Sequence, residues 1–309
     1  MDDLVNGQSP LNSGATRGPD TLPLVTVVTA TMGRTSLARA MKSVVRAAEV
    51  LRQPVVHLLV VDGPECLPSV QATVAAQAPA EFVKVQVLAV PLKTGRKGAT
   101  CKSVGSLVAR STYVSYLDDD NWYRRDHLQK CTRLLDDNHK VQWLHTGVWV
   151  VADEGCEEPD ENVSGLPDYC ESLGLLGSAP YLPFENTSDT NCLVLRADVA
   201  RKVAYHWQKD LMRGTLVIDD RLAYWALLDL YPRHAFLFEP TVYYVPNSMS
   251  HYSVFEKGNR LATRRVMKRV GKTIFFRPSR ARVLMLKGLR EFRNAFIRNV
   301  ARRGMRWDA

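Results

Sequence analysis

Three consecutive aspartates, Asp118-Asp119-Asp120, are the strongest chemical signal in the sequence. They follow Tyr113–Leu117, an apolar run that predicts a buried strand. Adjacent carboxylates repel each other unless positive charge lies among them, and hard divalent cations prefer carboxylate oxygens. Mg²⁺ typically binds one or two protein carboxylates and completes its shell with substrate phosphate oxygens. The triplet is therefore a candidate metal and nucleotide site, whereas a helix N-cap or surface turn is the alternative.

Asp62 is a second candidate because it ends another apolar run, Val55–Val61, just before the turn pair Gly63-Pro64. A carboxylate at the end of a buried strand can accept hydrogen bonds from a ribose hydroxyl or a base N–H. The alternative is a plain Asp-Gly turn, and the sequence alone leaves both interpretations open.

A basic segment lies between the third predicted strand and the next helix. Two glycines in it allow the backbone to approach a ligand closely. Cations beside a helix N-terminus can bind a diphosphate, whereas the alternative is a solvated basic loop. The residues concerned are Lys93, Gly95, Arg96, Lys97, Gly98 and Lys102.

Two weaker signals lie further along the chain. Asp219-Asp220 follows the run Thr215–Ile218 and begins an amphipathic helix, so one acid could cap the helix while the other acts as a general base. Capping alone is the alternative. His251 could complete a metal shell as a neutral imidazole, or it could be structural.

Several common catalytic motifs are missing from the sequence. No G-x-G-x-x-G follows the first strand, and no Walker A sequence occurs, which argues against a dinucleotide oxidoreductase and a P-loop kinase. No His/Cys cluster has zinc spacing, and no G-x-S-x-G elbow is present.

The elements that must position these residues alternate between strand and helix. Alternation of this kind predicts an α/β fold with a mostly parallel sheet and helices on both faces. Ligands bind such sheets at the carboxyl ends of the strands, where the polar segments 29–34, 62–65, 92–102 and 118–122 are found. The predicted strands are 24–29, 55–61, 84–90, 113–117, 141–151, 192–195 and 235–245, the last as a strand or hairpin. The predicted helices are 36–51, 68–77, 100–110, 124–138, 198–208 and 219–230.

The segment Ala152–Glu185 is long, acidic and rich in Gly and Pro. Loops of this length inside a compact domain are usually functional, so we expect a lid or binding loop here.

Charge is distributed unevenly along the 309 residues. The whole chain carries a formal charge of +9, but residues 257–309 hold 17 Lys or Arg against two acids, a net of +15, which leaves −6 for the rest. An apolar stripe runs through this basic segment, which is typical of a helix on an anionic membrane surface. Packing of the stripe on the body and, less favoured, nucleic-acid binding are the alternatives. The stripe comprises Met285, Leu289, Phe292, Phe296 and Val300.

The ends and the cysteines indicate the compartment. Residues 1–22 are polar and lack the basic start and apolar core of a signal peptide, so we expect a mobile leader. No uncharged apolar run approaches 18 residues. Six cysteines without a CxxC pair predict free thiols in a reducing cytoplasm, and Cys156–Cys170 is the one pairing worth checking.

Taken together, these motifs resemble the GT-A glycosyltransferases, in particular the inverting group called family 2. The resemblance runs from about Leu24 to His251, and its most specific part is Lys97–Tyr123, which ends in SYLDDDNWY. The segments VTVVTATMGR (25–34), LVVDGP (59–64) and TNCLVLRADV (190–199) are similar to the family's nucleotide loop, base-binding strand and acceptor-side strand.

The resemblance implies a role for each matching residue. Thr29 and Asp62 would contact the base and ribose, and Asp118 or Asp119 would hold the ribose or sugar. Asp120, with His251, would bind Mn²⁺ or Mg²⁺, and Asp220 would be the general base, with Asp219 standing where the family usually has Glu. Further nucleotide contacts are expected from Thr31, Arg34, Lys97 and Lys102.

The implied protein is a GT-A glycosyltransferase with a 1–22 leader, a catalytic domain over 23–256 and a basic helical extension over 257–309. The catalytic domain comprises a nucleotide half, 23–123, and an acceptor half, 124–256. It would move a sugar from a nucleoside diphosphate, UDP by expectation, to a hydroxyl of a glycan or lipid-linked acceptor with inversion. The expected location is the cytoplasm, on the inner membrane face. A nucleotidyltransferase and a non-catalytic nucleotide-sugar-binding module are the alternatives.

Overall fold

The computed structural model describes residues 22–95, 98–150, 175–177, 189–208, 219–245 and 273–276. The strands are β1 (Val25–Thr31), β2 (Val55–Val61), β3 (Val83–Ala89), β4 (Tyr113–Tyr116), β5 (Trp122–Tyr123), β6 (Trp143–Val150), β7 (Leu175–Gly177), β8 (Leu193–Arg196), β9 (His234–Tyr244) and β10 (Thr273–Phe276). The helices are α1 (Leu37–Leu51), α2 (Leu67–Ala75), α3 (Ala99–Val108), α4 (His127–Asp137), α5 (Ala197–Trp207) and α6 (Asp219–Leu230). Short 3₁₀ turns cover Pro64–Cys66 and Thr190–Cys192.

The strands form one mixed sheet in the order β10-β9-β6-β8-β4-β1-β2-β3. Strands β3, β2, β1 and β4 are all parallel, as predicted. Strand β8 then runs antiparallel between β4 and β6, while β9 is parallel to β6. Among the described strands, six of ten share one direction, so the predicted α/β class with a mostly parallel sheet is confirmed.

Helices cover both faces of the sheet, which is also as predicted. On one face, α1 and α4 pack on alternate residues of β1 such as Val25 and Val27. On the other face, α3, α5 and α6 pack on Val28 and Ala30. Parallel strands covered on both sides are buried throughout, and all seven residues of β1 are buried. Gly105 of α3 lies so close to β1 that a Cβ there would overlap Cγ1 of Val28.

Strand β9 is a single strand rather than a hairpin, although Pro240 lies in its middle. Proline cannot donate a hydrogen bond to a sheet, and the pairing with β6 shifts register around Gly147, opposite Pro240. Glu239 beside it accepts hydrogen bonds from Arg124 and Lys130, which fasten this irregularity to α4.

Part of the basic C-terminal segment belongs to the sheet. Strand β10, within 257–309, pairs antiparallel with β9, so these four residues are strand and not helix. The apolar stripe, the leader and nearly all of Ala152–Glu185, including Cys156 and Cys170, lie outside the described residues. Within the described part of the chain, no helix is both long and apolar enough to cross a bilayer.

Candidate active site

The acidic triplet lies at the carboxyl end of β4, beside the ends of β1 and β8. Its turn is closed by a hydrogen bond from the Asn121 N–H to the Asp118 carbonyl oxygen at 3.2 Å. The Asn121 side chain accepts a hydrogen bond from the backbone N–H of Val245 at 2.9 Å, and the next residues pair with β9 as β5. The turn is thus attached to the body on both sides, which holds the three carboxylates at fixed positions.

The middle carboxylate, Asp119, faces inward. Its Oδ2 accepts a hydrogen bond from Oγ1 of Thr31 at 2.7 Å, and its side chain is 8% exposed. Thr31 also accepts from the N–H of Gly33, where φ is +78° and glycine avoids the strain of a side chain. The predicted nucleotide residues Thr31 and Asp119 therefore meet, but they join the end of β1 to the end of β4 and leave little surface for a ligand.

Asp120 faces outward and meets Arg34. An Arg34 guanidinium nitrogen lies 2.9 Å from Asp120 Oδ2 and 3.7 Å from Asp119 Oδ1. The Arg34 side chain is 56% exposed, so this cation is held only at its tip. Arg39 lies beneath it, with its guanidinium over the Trp122 ring at 3.9 Å and a hydrogen bond to the Asp120 carbonyl oxygen at 3.4 Å.

Asp118 is held by two buried side chains and is still 29% exposed. Nζ of Lys102, from the first turn of α3, lies 2.8 Å from Asp118 Oδ1. Nδ2 of Asn191, from the turn before β8, donates to Oδ2 at 3.1 Å. Lys102 is 2% exposed and its ammonium group is paired with Asp118, so direct contact of this lysine with a nucleotide stays a prediction.

Three carboxylates lie close together at this turn. Arg34 and Lys102 pair with the carboxylates of this turn, and Arg39 contacts its backbone at the Asp120 carbonyl oxygen. Burial raises the pKa of Asp120 to about 6, with further contributions from the charges of Asp118 and Asp119. Burial also raises the pKa of Asp119, although the Thr31 hydrogen bond and Arg34 act in the opposite direction. A further positive group would therefore stabilise the ionised cluster.

Thr29 lies inside the sheet. It is fully buried, and its Oγ1 lies 2.9 Å from Nε2 of His57 on β2. Burial lowers the pKa of His57 to about 3, so the imidazole is neutral. Contact of Thr29 with the base stays a prediction, although its hydroxyl is already paired with His57 and Thr31 is the residue of this face that lies at the end of β1.

Asp62 is used to fasten the loop after β3. Its Oδ1 accepts hydrogen bonds from the N–H and the hydroxyl of Thr94, both at 2.8 Å, and its Oδ2 accepts from the N–H of Gly95 at 3.0 Å. Asp62 is 3% exposed, so the ends of β2 and β3 are joined here. A contact with a base or ribose stays a prediction, and it would have to share an oxygen with these donors.

The loop then enters α3 through glycine. Gly98 has φ of +78°, and a Cβ there would meet the Ala30 Cβ at 2.7 Å, so the start of α3 lies directly on the end of β1. Lys97, predicted to bind the diphosphate, lies outside the described residues.

The predicted catalytic acids begin α6, as the sequence indicated: Asp219 and Asp220 are its first two residues. Their helix packs through Ala223 and Leu227 into the core that also contains α3 and α5. His251 lies outside the described residues. Among those that are described, no three His, Cys, Asp or Glu side chains have the geometry to hold a metal ion together.

Sequence reasoning missed Asn191 and its partner Asp189. The β4–β8 pairing, continued beyond Ser115 and Val194, brings Asn191 opposite Asp118. The Asp118 N–H donates to Asn191 Oδ1 at 2.5 Å, and the Asn191 amide donates to Asp189 Oδ1 at 2.6 Å. The available signal was the Asp189-Thr190-Asn191 triplet just before a predicted strand, since Asp and Asn favour such turns.

No family model matches the chain, and no curated protein matches it. Among solved structures it is similar to S. aureus TarS 1-349, at 15% identity with a TM-score of 0.47, over 72% of this chain and 60% of that one. The same protein in complex with UDP matches at 15% identity and a TM-score of 0.47, over 75% and 63% of the two chains. The complex with UDP-GlcNAc matches at 15% identity and a TM-score of 0.49, over 74% and 60%. This chain thus spans less than two thirds of these neighbours, and its function has to be inferred from its own residues.

Proposed function

We propose that the chain is a GT-A-type, family-2-like glycosyltransferase that uses a nucleoside-diphosphate sugar, with UDP as the expected nucleotide. The observation that carries the proposal is the cluster of carboxylates at the carboxyl end of β4, where parallel β4 meets antiparallel β8. Strand ends where the order of a sheet changes are where α/β proteins bind their ligands. The sequence resemblance adds the reaction class.

The two outward carboxylates suit different parts of a donor. Asp118 is the most exposed of the three, and both its oxygens already have a donor, so it is oriented to accept a hydroxyl hydrogen bond from a ribose or sugar. Asp120 lies beside Arg34 at the rim, where a diphosphate can contact the guanidinium while the carboxylate faces a cation. Of the two candidates for the hydroxyl contact, Asp118 and Asp119, we therefore assign Asp118.

The residues present fit a divalent cation. Burial, and then the negative charges of Asp118 and Asp119, raise the pKa of Asp120, and a bound Mn²⁺ or Mg²⁺ would favour its ionised form. One carboxylate together with substrate phosphate oxygens is a usual Mg²⁺ environment, and His251 would be a further ligand. When bound, the ion would stabilise negative charge on the departing diphosphate.

Catalysis is assigned to the start of α6. Asp220 accepts the proton of the acceptor hydroxyl, and Asp219 is the alternative base at the same helix end. Attack opposite the leaving group inverts the anomeric configuration. The acceptor is a glycan or a lipid-linked glycan, and the enzyme acts in the cytoplasm with its basic segment on the inner membrane face.

A thermal-shift experiment tests the proposal. The native chain is heated with UDP, GDP or ADP, each with Mn²⁺ or with EDTA. Ligand at about 100 times its dissociation constant adds about 2.7 kcal/mol of stability, so a clear rise in melting temperature with UDP and Mn²⁺ is expected. The Asp120→Ala variant should lose this rise, whereas the matched Asp198→Ala variant, at an exposed position of α5, should keep it.

Two results would contradict the proposal. If no nucleoside diphosphate raises the melting temperature of the wild-type chain, a nucleoside-diphosphate sugar is excluded as its donor. Equal stabilisation of wild type and Asp120→Ala by UDP and Mn²⁺ places the nucleotide elsewhere. A response to nucleoside triphosphates in preference to diphosphates would favour a nucleotidyltransferase, and binding without sugar transfer would leave a non-catalytic module.

A further inference from the structure

Asn191 makes hydrogen bonds that match its amide group atom by atom. It is fully buried. Its carbonyl oxygen accepts from the Asp118 N–H at 2.5 Å, while its NH₂ group donates to Asp118 Oδ2 at 3.1 Å and to Asp189 Oδ1 at 2.6 Å. An amide rotated by 180° would place NH₂ against an N–H and oxygen against two carboxylates, so the orientation is fixed.

The same carboxylate is held from its other side. Lys102 lies 2.8 Å from Asp118 Oδ1 and is almost fully buried, so Asp118 is clamped between an ammonium group and an amide. A carboxylate has about four acceptor sites, so Asp118, which is 29% exposed, can accept further hydrogen bonds beside these two. A charge-assisted hydrogen bond from a ligand hydroxyl would meet an acceptor that needs no rearrangement.

The clamp joins two parts of the chain that are distant in sequence. Asp118 belongs to the nucleotide half, while Asn191 precedes β8 in the acceptor half, 73 residues away. Asp189 in turn fixes Asn191 through its amide and through the backbone N–H at 2.9 Å. Asn191 of the acceptor half thereby sets the orientation of the Asp118 carboxylate in the nucleotide half.

We propose that Asn191 is a positioning residue for the sugar-nucleotide donor: it holds the Asp118 carboxylate in the orientation that accepts a donor hydroxyl. This inference rests on the proposed function. It differs from a purely structural role, in which Asn191 would serve only to close the 189–192 turn through Asp189.

The two roles are separated by an exchange of side chains. In the double variant Asp189→Asn with Asn191→Asp, amide and carboxylate trade places. The NH₂ group now at position 189 can donate to the carboxylate now at position 191, so the side-chain bond between the two positions is kept, while the backbone N–H of residue 191, which shares Asp189 Oδ1 in the wild type, loses its acceptor. Position 191 then presents a carboxylate to Asp118 Oδ2 and cannot donate to it. If Asn191 positions Asp118, UDP affinity in the presence of Mn²⁺ stays at least about tenfold weaker than wild type, the usual effect of losing a hydrogen bond to a charged group.

A double-mutant cycle supplies an independent readout. Asn191→Ala should weaken UDP binding by about tenfold or more in the wild-type background and change it little in an Asp118→Ala background, because the effect passes through Asp118. Isothermal titration calorimetry with UDP and Mn²⁺ gives the four dissociation constants. The control is Asn138→Ala, which removes a side-chain hydrogen bond from the Asn138 NH₂ group to the Leu134 carbonyl oxygen at the end of α4. This variant should bind UDP as wild type does.

The outcomes distinguish this inference from the function on which it rests. Wild-type affinity in the exchange variant, or additive losses in the cycle, would overturn the positioning role and leave the proposed function intact. A wild-type chain without affinity for UDP or any other nucleoside diphosphate would overturn both. If Asn191→Ala does not fold, the exchange variant, which keeps the size of both side chains, carries the test.

Discussion

Replacing Asp120 with Asn should stabilise the fold at neutral pH while it abolishes metal-dependent nucleotide binding. Burial and the charges of Asp118 and Asp119 raise the pKa of Asp120 from 3.8 to about 6. At about 1.36 kcal/mol for each pH unit, this difference corresponds to roughly 3 kcal/mol of unfolding free energy. The ionised carboxylate therefore opposes folding, and a neutral amide of the same shape removes most of that cost.

The lost ion pair offsets part of the gain. The Arg34 side chain is 56% exposed, and pairs of this kind contribute about 0–1 kcal/mol. The expected net gain for Asp120→Asn is thus about 2 kcal/mol at pH above the folded pKa of about 6.

The gain depends on pH with a defined sign. The pKa of Asp120 is about 6 in the folded state and 3.8 in the unfolded state. At pH values between these two, Asp120 is protonated in the folded state and ionised in the unfolded state. The wild type therefore loses stability as pH rises through this window. Well below the unfolded pKa of 3.8 Asp120 is neutral in both states, so the advantage of the amide is small at about pH 4 and vanishes at lower pH.

Urea unfolding in EDTA measures this effect at about pH 4 and about pH 7.5, with the midpoints compared at constant slope. The control is Asp198→Asn, an exposed residue paired with Lys202 at 3.8 Å, which should change stability by less than about 0.5 kcal/mol at either pH. If Asp120→Asn is less stable than wild type at about pH 7.5, or is shifted equally at both pH values, the ionised Asp120 carboxylate does not oppose folding and the reasoning is refuted.

Four further outcomes are expected. Thr29→Val should lower the free energy of unfolding in urea by about 1–3 kcal/mol, because it leaves His57 without its hydroxyl partner. UDP affinity should be unchanged, and weaker UDP binding would show that Thr29 belongs to the nucleotide site. Gly105→Ala should cost about 1–3 kcal/mol in the same assay because its Cβ overlaps Val28, and a neutral effect would show that α3 can move. Asp220→Asn should lower turnover by about two to four decades with donor affinity retained, whereas a larger loss for Asp219→Asn would reverse the two roles. In liposome flotation the full chain should float with anionic lipid and less so as salt rises, while a chain ending at Ser279, which keeps β10, should not; flotation of the shorter chain would exclude the apolar stripe as the anchor.

The parallel half of the fold could be predicted to within a few residues because its central strands β1, β2 and β4 are buried on both faces. Such strands are continuous β-branched runs, as in β1 and β2, and they contrast sharply with the helices between them. The same property hid the role of Thr29: in a strand buried on both faces, the sequence does not say which polar residue reaches the edge.

The position of the site was predictable, but its internal contacts were not. Polar residues that follow β1 and β4 do lie together, since Thr31 meets Asp119 and Arg34 meets Asp120. The burial of Lys102 depends on how closely α3 approaches β4. A buried lysine and a phosphate-binding lysine beside a glycine-rich loop look the same in the sequence. The contact between Asn191 and Asp118 depends on the antiparallel direction of β8, and the local sequence does not determine the direction of a strand.

That antiparallel strand also sets the order in which the site can form. Thr31, Arg34 and Asp62 have their partners within the first 120 residues. Asp118 has Lys102 there, but its second partner, Asn191, is made only 73 residues later. At about 5–20 residues per second, ribosomal synthesis of that stretch takes roughly 4–15 s. During this time the edge of β4 that will pair with β8 has no neighbouring strand. An unpaired strand edge can capture other chains, so the nascent protein has a defined interval of vulnerability that ends when β8 is made.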